Sequence, residues 1–323
     1  MQDAAGLVPP TQAAELRRLA GETRGFLAAA KAPSTRRAYG SDWRHFASWC
    51  DSHSLPALPA SPETVALYIT DLAASRKPAT LRRRLTVISR AHQTSGLPSP
   101  ASMQQPLVSE TLKGIRRTLG TAQVGKRPLF TEQLRAIVGE LPDELQGMRD
   151  RALLLLGFAG GFRRSELAGI EIKDIAIEKE GLVITVRRSK TDQEGLGRKV
   201  AIPYGSDPKT CPVRSYTEWL ETAGVKTGPV FRQVDRHGHV RPNGLHKDSV
   251  GMIVKRATAR IGLNPEDYAG HSLRAGLATQ AYLNGASELA IMQQTGHRSL
   301  STVRKYIREG SLFRDNPAAK LGL

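Results

Sequence analysis

The chain has 323 residues, and its 47 Lys and Arg residues outnumber 30 Asp and Glu residues, so that the formal net charge is +17. This length is enough for two domains with a sizeable core, and a positive field of this size favours nucleic acid or an anionic membrane surface as partner. Two distant cysteines argue against a disulfide framework, and the longest apolar run, 152–162, is well short of the ~20 residues that cross a bilayer.

Nucleic acid is therefore the polyanion that we expect, with no membrane partner. The N-terminus lacks a basic segment followed by an apolar run, so the sequence predicts no signal peptide. Together with the low cysteine content, this favours a reducing cytoplasm.

The N-terminal part is predicted to be helical. Residues 1–30 form an Ala-rich lead-in segment in which we expect one short helix, and residues 31–120 show four amphipathic helices that pack as a bundle. Ser61 before Pro62 and Thr80 are the predicted starts of two of them. Several cations lie off the apolar stripes and are candidate DNA contacts: Arg36, Arg37, Arg82 and Arg83.

A linker is predicted at 121–128. The stretch 120–127, GTAQVGKR, nearly matches a phosphate-binding loop, but Arg127 stands where Ser or Thr would bind Mg²⁺. We therefore interpret Lys126 and Arg127 as contacts to a DNA backbone.

The second domain, 129–310, is predicted to be mainly α-helical with a small antiparallel sheet. Thr131 is a predicted N-cap, and helical patterns follow at about 147–159, 163–167, 212–223, 245–261, 271–284, 286–295 and 299–308. Between Ile172 and Pro203 the apolar period changes to two, which indicates three short strands. The fold class is thus α+β, with a tail at 311–323.

Paired charges in the second domain are candidates for chemistry. Arg163 and Glu166 follow two glycines in the segment GGFRRSEL, and a spacing of three places both side chains on one helical face. His271 and Arg274 have the same spacing. An arginine can bind two phosphate oxygens at once, and an imidazole can take up a proton near neutral pH. The alternative for Arg163 and Glu166 is an ordinary surface ion pair, and the alternative for His271 and Arg274 is a helix N-terminus with a solvated histidine.

The segment 296–307, GHRSLSTVRKYI, combines His297 with Tyr306. A tyrosine phenol can be a covalent nucleophile, although it is weak at its free pKa of ~10 and needs cations and a base nearby. A basic amphipathic helix with Val303 and Ile307 buried and the charges solvated is the alternative. Elsewhere, His237 and His239 lack the further ligands that a zinc site requires, so Arg241 beside them is interpreted as a DNA contact.

Lys190, at the end of the second predicted strand, carries no signal alone, because a loop lysine is usually exposed to solvent. With five of the side chains above it completes a characteristic order: Arg163, Lys190, His271, Arg274, His297 and Tyr306. In this order and in a basic helical domain, they resemble the tyrosine recombinase family of phage-type integrases, Cre-like and Xer-like proteins. The resemblance covers essentially all of residues 30–323. It implies a core-binding domain at 31–120 and a catalytic domain at 129–310.

The resemblance also implies an activity and an assembly. Tyr306 would attack a DNA phosphodiester to give a 3′-phosphotyrosine, with Lys190 protonating the leaving oxygen and Glu166 orienting Arg163. No metal, ATP or other cofactor would be needed. Four protomers would exchange strands at two double-stranded target sites through a Holliday junction, with the tail docked on a neighbour and accessory DNA-bending or directionality proteins possible. A catalytically silent DNA-binding protein and a type IB topoisomerase-like enzyme are the alternatives.

Overall fold

The computed structural model describes residues 10–120, 125–187 and 197–310, together with Ala318 and Leu321. The chain divides into two compact units, residues 1–124 and residues 125–323. Both are built mainly from helices, and the described strands form only small antiparallel sheets, so the predicted fold class is confirmed. Lys190 and most of the predicted tail lie outside the described residues.

The described part of the N-terminal unit is a set of helices that each begin with proline. Proline is favoured at the first helical position because its fixed φ suits the helix and its missing N–H would be unpaired there in any case. The helices are α1 (Pro10–Ala29), α2 (Pro33–Ser52), α3 (Pro62–Ala73), α4 (Pro78–Thr94) and α5 (Pro106–Leu119).

Two predicted boundaries in this unit need correction. The lead-in carries one 20-residue helix, α1, rather than a short one. The start of α4 lies at Pro78, two residues before the predicted cap Thr80, because the proline already sets the first turn. The predicted start of α3 is confirmed, since the Ser61 side chain accepts a hydrogen bond from the Thr64 N–H.

The core of this unit is apolar, but it also contains a few buried polar side chains that are joined by hydrogen bonds. Phe46 and Tyr68 are fully buried among the aliphatic side chains of α3, α4 and α5. Arg84 is also buried, and its Nη1 donates to the Tyr68 hydroxyl at 2.6 Å. Asp42, whose side chain is buried, accepts two hydrogen bonds from Arg83 at 2.7 and 3.0 Å. Arg83 is thus tied to its own bundle.

The second unit alternates helices with two small sheets. Its elements are α6 (Thr131–Gly139), α7 (Leu145–Ala159), α8 (Arg164–Ala168), β1 (Ile175–Glu178), β2 (Gly181–Val186), β3 (Arg198–Pro203), α9 (Pro212–Ala223), β4 (Arg232–Val234), β5 (Val240–Gly244), α10 (Lys247–Arg260), α11 (His271–Leu283), α12 (Glu288–Thr295) and α13 (Leu300–Gly310). Helix α6 begins at Thr131, so its N-cap is Phe130 and not the predicted Thr131. The Gln133 side-chain oxygen accepts a hydrogen bond from the Phe130 N–H and so caps the helix at that residue.

The three predicted strands form one antiparallel sheet in the order β1-β2-β3. Val200 and Ile202 of β3 are buried while their neighbours are not, which is the alternation expected of a strand with one face in the core. The hairpin of β4 and β5 was not predicted. Its strands are short and carry Arg232 and Arg241, so neither shows an apolar period.

A separate small cluster holds the C-terminal helices together. Val303 and Ile307 of α13 are buried against Ala278 of α11 and Ile291 of α12, with Tyr306 at the edge of the cluster. The two apolar anchors predicted for α13 are therefore confirmed. Because α11 and α13 pack directly, residues at 271 and 306 can meet although 35 positions separate them.

Candidate active site

The turn between α7 and α8 presents Arg163 at the N-cap of α8. Gly161 has a φ of +55° in this turn, and an added Cβ would lie 2.6 Å from Leu277 Cδ2, so only glycine fits here without displacement. The turn also leaves the Gly161 carbonyl group facing Arg274, whose Nη1 donates to it at 2.6 Å. One short turn thus contributes to the placement of two arginines.

Glu166 is the centre of a buried ion-pair network. Its side chain is 1% exposed, and it accepts from the Arg163 N–H at 3.0 Å and from Arg163 Nη1 at 2.5 Å. It also accepts from Arg198 Nη2 at 3.1 Å. The Arg163–Glu166 pair is therefore not the exposed surface pair that the spacing alone left open.

Arg198, at the start of β3, is a residue of the site that the sequence did not indicate. Besides Glu166 it reaches the Gln294 carbonyl oxygen, to which its Nη1 donates at 2.8 Å. Burial lowers the pKa of Arg198, although the Glu166 carboxylate opposes the shift. The residue links the sheet to α8 and to the end of α12, three elements that are distant in sequence.

Arg274 is 1% exposed and lies on the buried side of α11. Its Nη1 donates to two carbonyl oxygens, those of Gly161 and Thr295, at 2.6 and 2.5 Å. Its Nη2 is buried and meets no hydrogen-bond acceptor among the described residues. Burial, with the positive charge of Arg163, lowers the pKa of Arg274 to about 10, so the group is still a cation at neutral pH. The site therefore holds a buried positive charge with a donor left over for an anion.

His271 and Tyr306 are in direct contact. The His271 Nε2 lies 2.6 Å from the Tyr306 hydroxyl oxygen, and the ring centroids are 5.4 Å apart. Partial burial of the imidazole, followed by the charges of Arg274 and Arg163, lowers the pKa of His271. A neutral imidazole with its proton on Nδ1 can accept the phenolic proton through Nε2.

His297 borders the same phenol from another side. Gly296 ends α12 in the left-handed conformation, with φ of +66°, and the next residue turns its ring toward Tyr306, at 5.4 Å between ring centroids. The His297 Nδ1 lies 2.7 Å from the Thr295 Oγ1. Burial and the charges of Arg274 and Arg163 lower the pKa of His297 to about 3. Both histidines are therefore neutral at physiological pH in the absence of an anion.

Helix α13, which carries the candidate nucleophile, is held in place by a hydrogen bond to its backbone, by an ion pair and by the packing of its apolar face. The Thr279 Oγ1 of α11 donates to the Tyr306 carbonyl oxygen at 3.1 Å. Arg304 pairs with Glu288 of α12 through hydrogen bonds of 2.9 and 3.1 Å. Arg304 is thus engaged in fixing the helix rather than facing the phenol. The arrangement combines a phenol, two neutral imidazoles and buried guanidinium groups, which suits attack on an anionic ester.

The predicted DNA contacts fall into two groups. Arg36, Arg37 and Arg82 are exposed, and no acidic residue in the described part of the chain pairs with them. The others already bind protein groups: Arg83 binds Asp42, Lys126 donates to the Glu266 carbonyl oxygen, Arg127 lies 3.8 Å from Asp267, and Arg241 pairs with Asp235 at 2.7 Å.

Two other sequence interpretations concern metals and membranes. Within residues 10–120, 125–187 and 197–310, no three His, Cys, Asp or Glu side chains form a group that could hold a metal ion. His239 instead lies 3.3 Å from Asp235 in the β4–β5 hairpin. No helix that the structure describes has both the length and the apolar character needed to cross a membrane.

The sequence matches known proteins over most of its length. Residues 127–311 match the Phage integrase family. The chain is 42% identical over 303 residues to the integrase/recombinase xerD homolog of Selenomonas ruminantium, an alignment that covers 93% of this chain and 88% of that protein. It is 28% identical over 286 residues to the recombinase cre of Escherichia phage P1, covering 82% of this chain and 81% of that protein.

Solved structures show the same fold at lower sequence identity. The XerH site-specific recombinase bound to palindromic difH substrate, a post-cleavage complex, is similar with a TM-score of 0.60 and 20% identity, over 81% of this chain and 72% of that one. A lambda integrase dimer bound to a COC′ core site is similar with a TM-score of 0.57 and 18% identity, over 94% of this chain and 82% of that one.

Proposed function

This chain belongs to the phage integrase family and is a site-specific tyrosine recombinase that cleaves and rejoins DNA, and from this premise we propose that Tyr306 is its nucleophile. The observation that carries the proposal is the 2.6 Å separation between the Tyr306 hydroxyl oxygen and His271 Nε2. A general base must reach the proton it takes up by a hydrogen bond, directly or through one water, and this distance meets the direct requirement.

Cleavage is then an exchange of one phosphoester for another. The Tyr306 oxygen attacks the phosphorus atom while its proton passes to His271 Nε2. The bond from phosphorus to the 5′-oxygen breaks, which leaves a 3′-phosphotyrosine and a free 5′-hydroxyl group. We assign protonation of the departing 5′-oxygen to Lys190, because its place in the sequence matches the lysine of the family pattern. Rejoining is the reverse, with a 5′-hydroxyl group as the attacking group.

Negative charge grows on the phosphate oxygens during this step, and we assign its stabilisation to three side chains. Arg163 is held by Glu166, and Arg274 keeps a buried Nη2 without an acceptor among the described residues. His297 is the third group, as a donor from its ring. One pre-organised donor of this kind typically lowers the barrier by ~3 kcal/mol. The alignment of these groups before DNA arrives is the main support for the assignment.

We propose that neither a metal ion nor ATP takes part. The positive charge that a divalent cation would supply is provided by Arg163 and Arg274, both fixed by protein hydrogen bonds. The phosphotyrosine bond retains the energy of the original phosphodiester, so rejoining needs no second energy source.

The assembly and domain roles are part of the same proposal. Residues 31–120 would bind the core of the target site, residues 121–128 would cross the backbone and residues 129–310 would cleave. The tail, 311–323, would dock on a neighbouring protomer in a tetramer that passes through a Holliday junction, with accessory DNA-bending or directionality proteins as possible partners in a bacterial cytoplasm. The relatives that are recombinases and the similar structures that are DNA complexes support this organisation.

Covalent capture tests the nucleophile even though the target sequence is not known. Wild-type protein is incubated with a duplex library that has a randomised core and nicked flanks, and DNA that stays attached after denaturation is sequenced. Wild type should capture a defined sequence and Tyr306→Phe should capture none. Tyr204→Phe, an exposed tyrosine at the end of the sheet, is the matched control and should capture DNA as wild type does. Equal capture by Tyr306→Phe would overturn the assignment.

A second assay separates recombination from nicking and closing. Two plasmids that each carry the captured sequence are incubated with the protein. Joint molecules are expected, whereas relaxation without exchange would contradict a recombinase that works by paired cleavage.

A further inference from the structure

Thr295, the last residue of α12, contacts two of the groups that we assign to phosphate binding. It is fully buried, and its carbonyl oxygen accepts from Arg274 Nη1 at 2.5 Å. Its side-chain oxygen lies 2.7 Å from His297 Nδ1. One residue is thus placed to act on both side chains at once. A threonine at a helix end carries no sequence signal for such a role.

The two neighbours of the Thr295 hydroxyl group determine which atom donates and which accepts in each of its hydrogen bonds. The Thr295 Oγ1 lies 2.6 Å from the Ile291 carbonyl oxygen, which has no proton to give. The single hydroxyl proton therefore goes to Ile291, and Oγ1 offers a lone pair toward His297. Nδ1 must then carry the imidazole proton. This leaves the opposite ring nitrogen, Nε2, unprotonated in the neutral ring.

The surroundings of His297 make this assignment consequential. Four groups that are positively charged, or become so on protonation, face His297: Arg274 and His271 from α11, Arg198 from β3 and Arg163 from the α7–α8 turn. The Tyr306 ring also lies beside it. These charges disfavour a second proton on the imidazole until an anion enters. A scissile phosphate would favour the protonated ring, and because the proton on Nδ1 is held by Thr295, Nε2 is the atom that would take a proton from solvent and donate it to a phosphate oxygen.

We propose that Thr295 is a positioning residue, which holds the Arg274 guanidinium through its carbonyl group and determines through its hydroxyl group which nitrogen of His297 is free to face the scissile phosphate. The inference rests on the proposed function, since it assigns Thr295 a part in the same cleavage step. It adds a residue that acts through two others and touches no reacting atom itself.

Thr295→Val is a near-isosteric test. The Thr295 Cγ2 packs close to Gly161, 3.0 Å from where a Cβ would be there, and valine keeps this methyl group and the backbone carbonyl while it replaces the hydroxyl. Single-turnover adduct formation on the captured duplex should slow about tenfold, as expected for one lost hydrogen bond at a group that acts in the transition state. Affinity for the duplex should not change. Thr295→Ser restores the hydroxyl and should cleave at close to the wild-type rate.

A double-mutant cycle asks whether the hydroxyl acts through His297. In a His297→Ala background, Thr295→Val should cause no further loss of rate, because the partner of the hydroxyl is gone. The proposal is overturned if Thr295→Val cleaves at the wild-type rate, if Thr295→Ser is as slow as Thr295→Val, or if the valine slows the His297→Ala protein by the same factor.

A measurement on unmodified protein covers the case in which the valine variant does not fold. Nitrogen NMR of the ¹⁵N-histidine-labelled full chain, with His297→Ala used to assign the signal, reports which ring nitrogen carries the proton. Nδ1–H is expected, and Nε2–H would overturn the proposal. This measurement needs no DNA. If wild type captured no DNA while His297 showed Nδ1–H, the proposed function would fail and the hydrogen-bond assignment would stand.

Discussion

The Nε2 atom of His271 lies 2.6 Å from the hydroxyl oxygen of Tyr306, within the range of a strong hydrogen bond. The contact joins the first residue of α11 to the middle of α13, and the packing of those helices through Ala278 and Val303 maintains it. Burial and the three guanidinium groups of Arg274, Arg163 and Arg164 hold the pKa of this imidazole below its usual value. The histidine is therefore in its proton-accepting form at physiological pH.

The pH dependence of cleavage follows from that shift. The accepting form of His271 is present above its folded-state pKa, which lies below the ordinary ~6.5. Neither the pKa of Arg274, about 10, nor that of His297, about 3, lies near neutrality. The single-turnover rate should therefore stay level as pH falls through ~6.5 and decline only in more acidic buffer.

His271→Gln provides the control for this profile. Glutamine cannot take up the proton, so the rate should fall by about 100-fold or more and the acidic decline should disappear. Rates measured from about pH 5 to pH 8 on the captured duplex test both points. A decline centred above pH ~6.5, or one that persists unchanged in His271→Gln, would contradict the assignment of His271 as base.

Arg198 is expected to be needed for both stability and cleavage. Glu166 is almost fully buried between Arg163 and Arg198, so Arg198→Met leaves a buried carboxylate with one cation instead of two. Because Arg163 still pairs with it, we expect a loss of about 2 kcal/mol in the free energy of unfolding, less than for breaking an isolated buried pair. Cleavage should also slow, since the Gln294 carbonyl group beside Thr295 loses its donor.

Lys255→Met is the matched comparison for this loss. Lys255 also pairs with a carboxylate, at 2.8 Å, but its partner Glu266 is 74% exposed in its side chain. Exposed pairs contribute ~0–1 kcal/mol, so this variant should unfold near the wild-type urea concentration and cleave normally. Equal urea midpoints for the two variants would show that burial of Glu166 does not matter.

The helices and the first sheet could be predicted because their signals are local, whereas most of the candidate site was recognised from the order of its residues along the chain, which resembles the family pattern. Val303 and Ile307 recur at helical spacing, and Val200 and Ile202 alternate as a strand requires. Arg198 and Thr295 were missed for a physical reason. Their roles arise only when β3, α8 and the end of α12 meet, and neither residue type nor spacing reports that meeting. The contact of Arg198 with Glu166 therefore depends on the tertiary fold, whereas the spacing of three residues already places Arg163 and Glu166 on one helical face.

Gly276 is expected to tolerate no side chain. An added Cβ would lie 1.9 Å from the Leu129 carbonyl oxygen and 2.9 Å from Phe158 Cε2. The Leu129 N–H donates to the Ser272 carbonyl oxygen at 3.0 Å, so this stretch of backbone cannot move away without loss of that bond. Gly276→Ala should therefore shift α11, which carries His271 and Arg274, and lower the free energy of unfolding by about 3 kcal/mol.

Gly251→Ala tests whether the effect comes from the contact rather than from the residue type. Gly251 lies inside α10, and the nearest atom to an added Cβ is 3.8 Å away, an ordinary contact. Alanine should stabilise this helix by up to ~1 kcal/mol. Thermal unfolding and adduct formation of both variants give the comparison. A Gly276→Ala protein as stable and as active as wild type would mean that α11 is not closely packed at Leu129.

The arginines of the N-terminal unit should differ in how they affect the salt dependence of DNA binding. Each phosphate contact contributes ~0.9 to the slope of log affinity against log salt concentration for duplex DNA. Arg36 is exposed and pairs with no acidic residue that the structure describes, so Arg36→Ala should lower the slope by about that amount.

Arg83 already donates two hydrogen bonds to the buried Asp42. Arg83→Ala should change the slope less and destabilise the bundle more, because Asp42 would keep only Arg84, at 3.6 Å. Fluorescence anisotropy with a fixed duplex of arbitrary sequence at several NaCl concentrations measures the slopes, and urea unfolding measures the stability. If Arg83→Ala lowers the slope as much as Arg36→Ala without loss of stability, the ion pair with Asp42 opens when DNA binds and Arg83 belongs with the direct phosphate contacts.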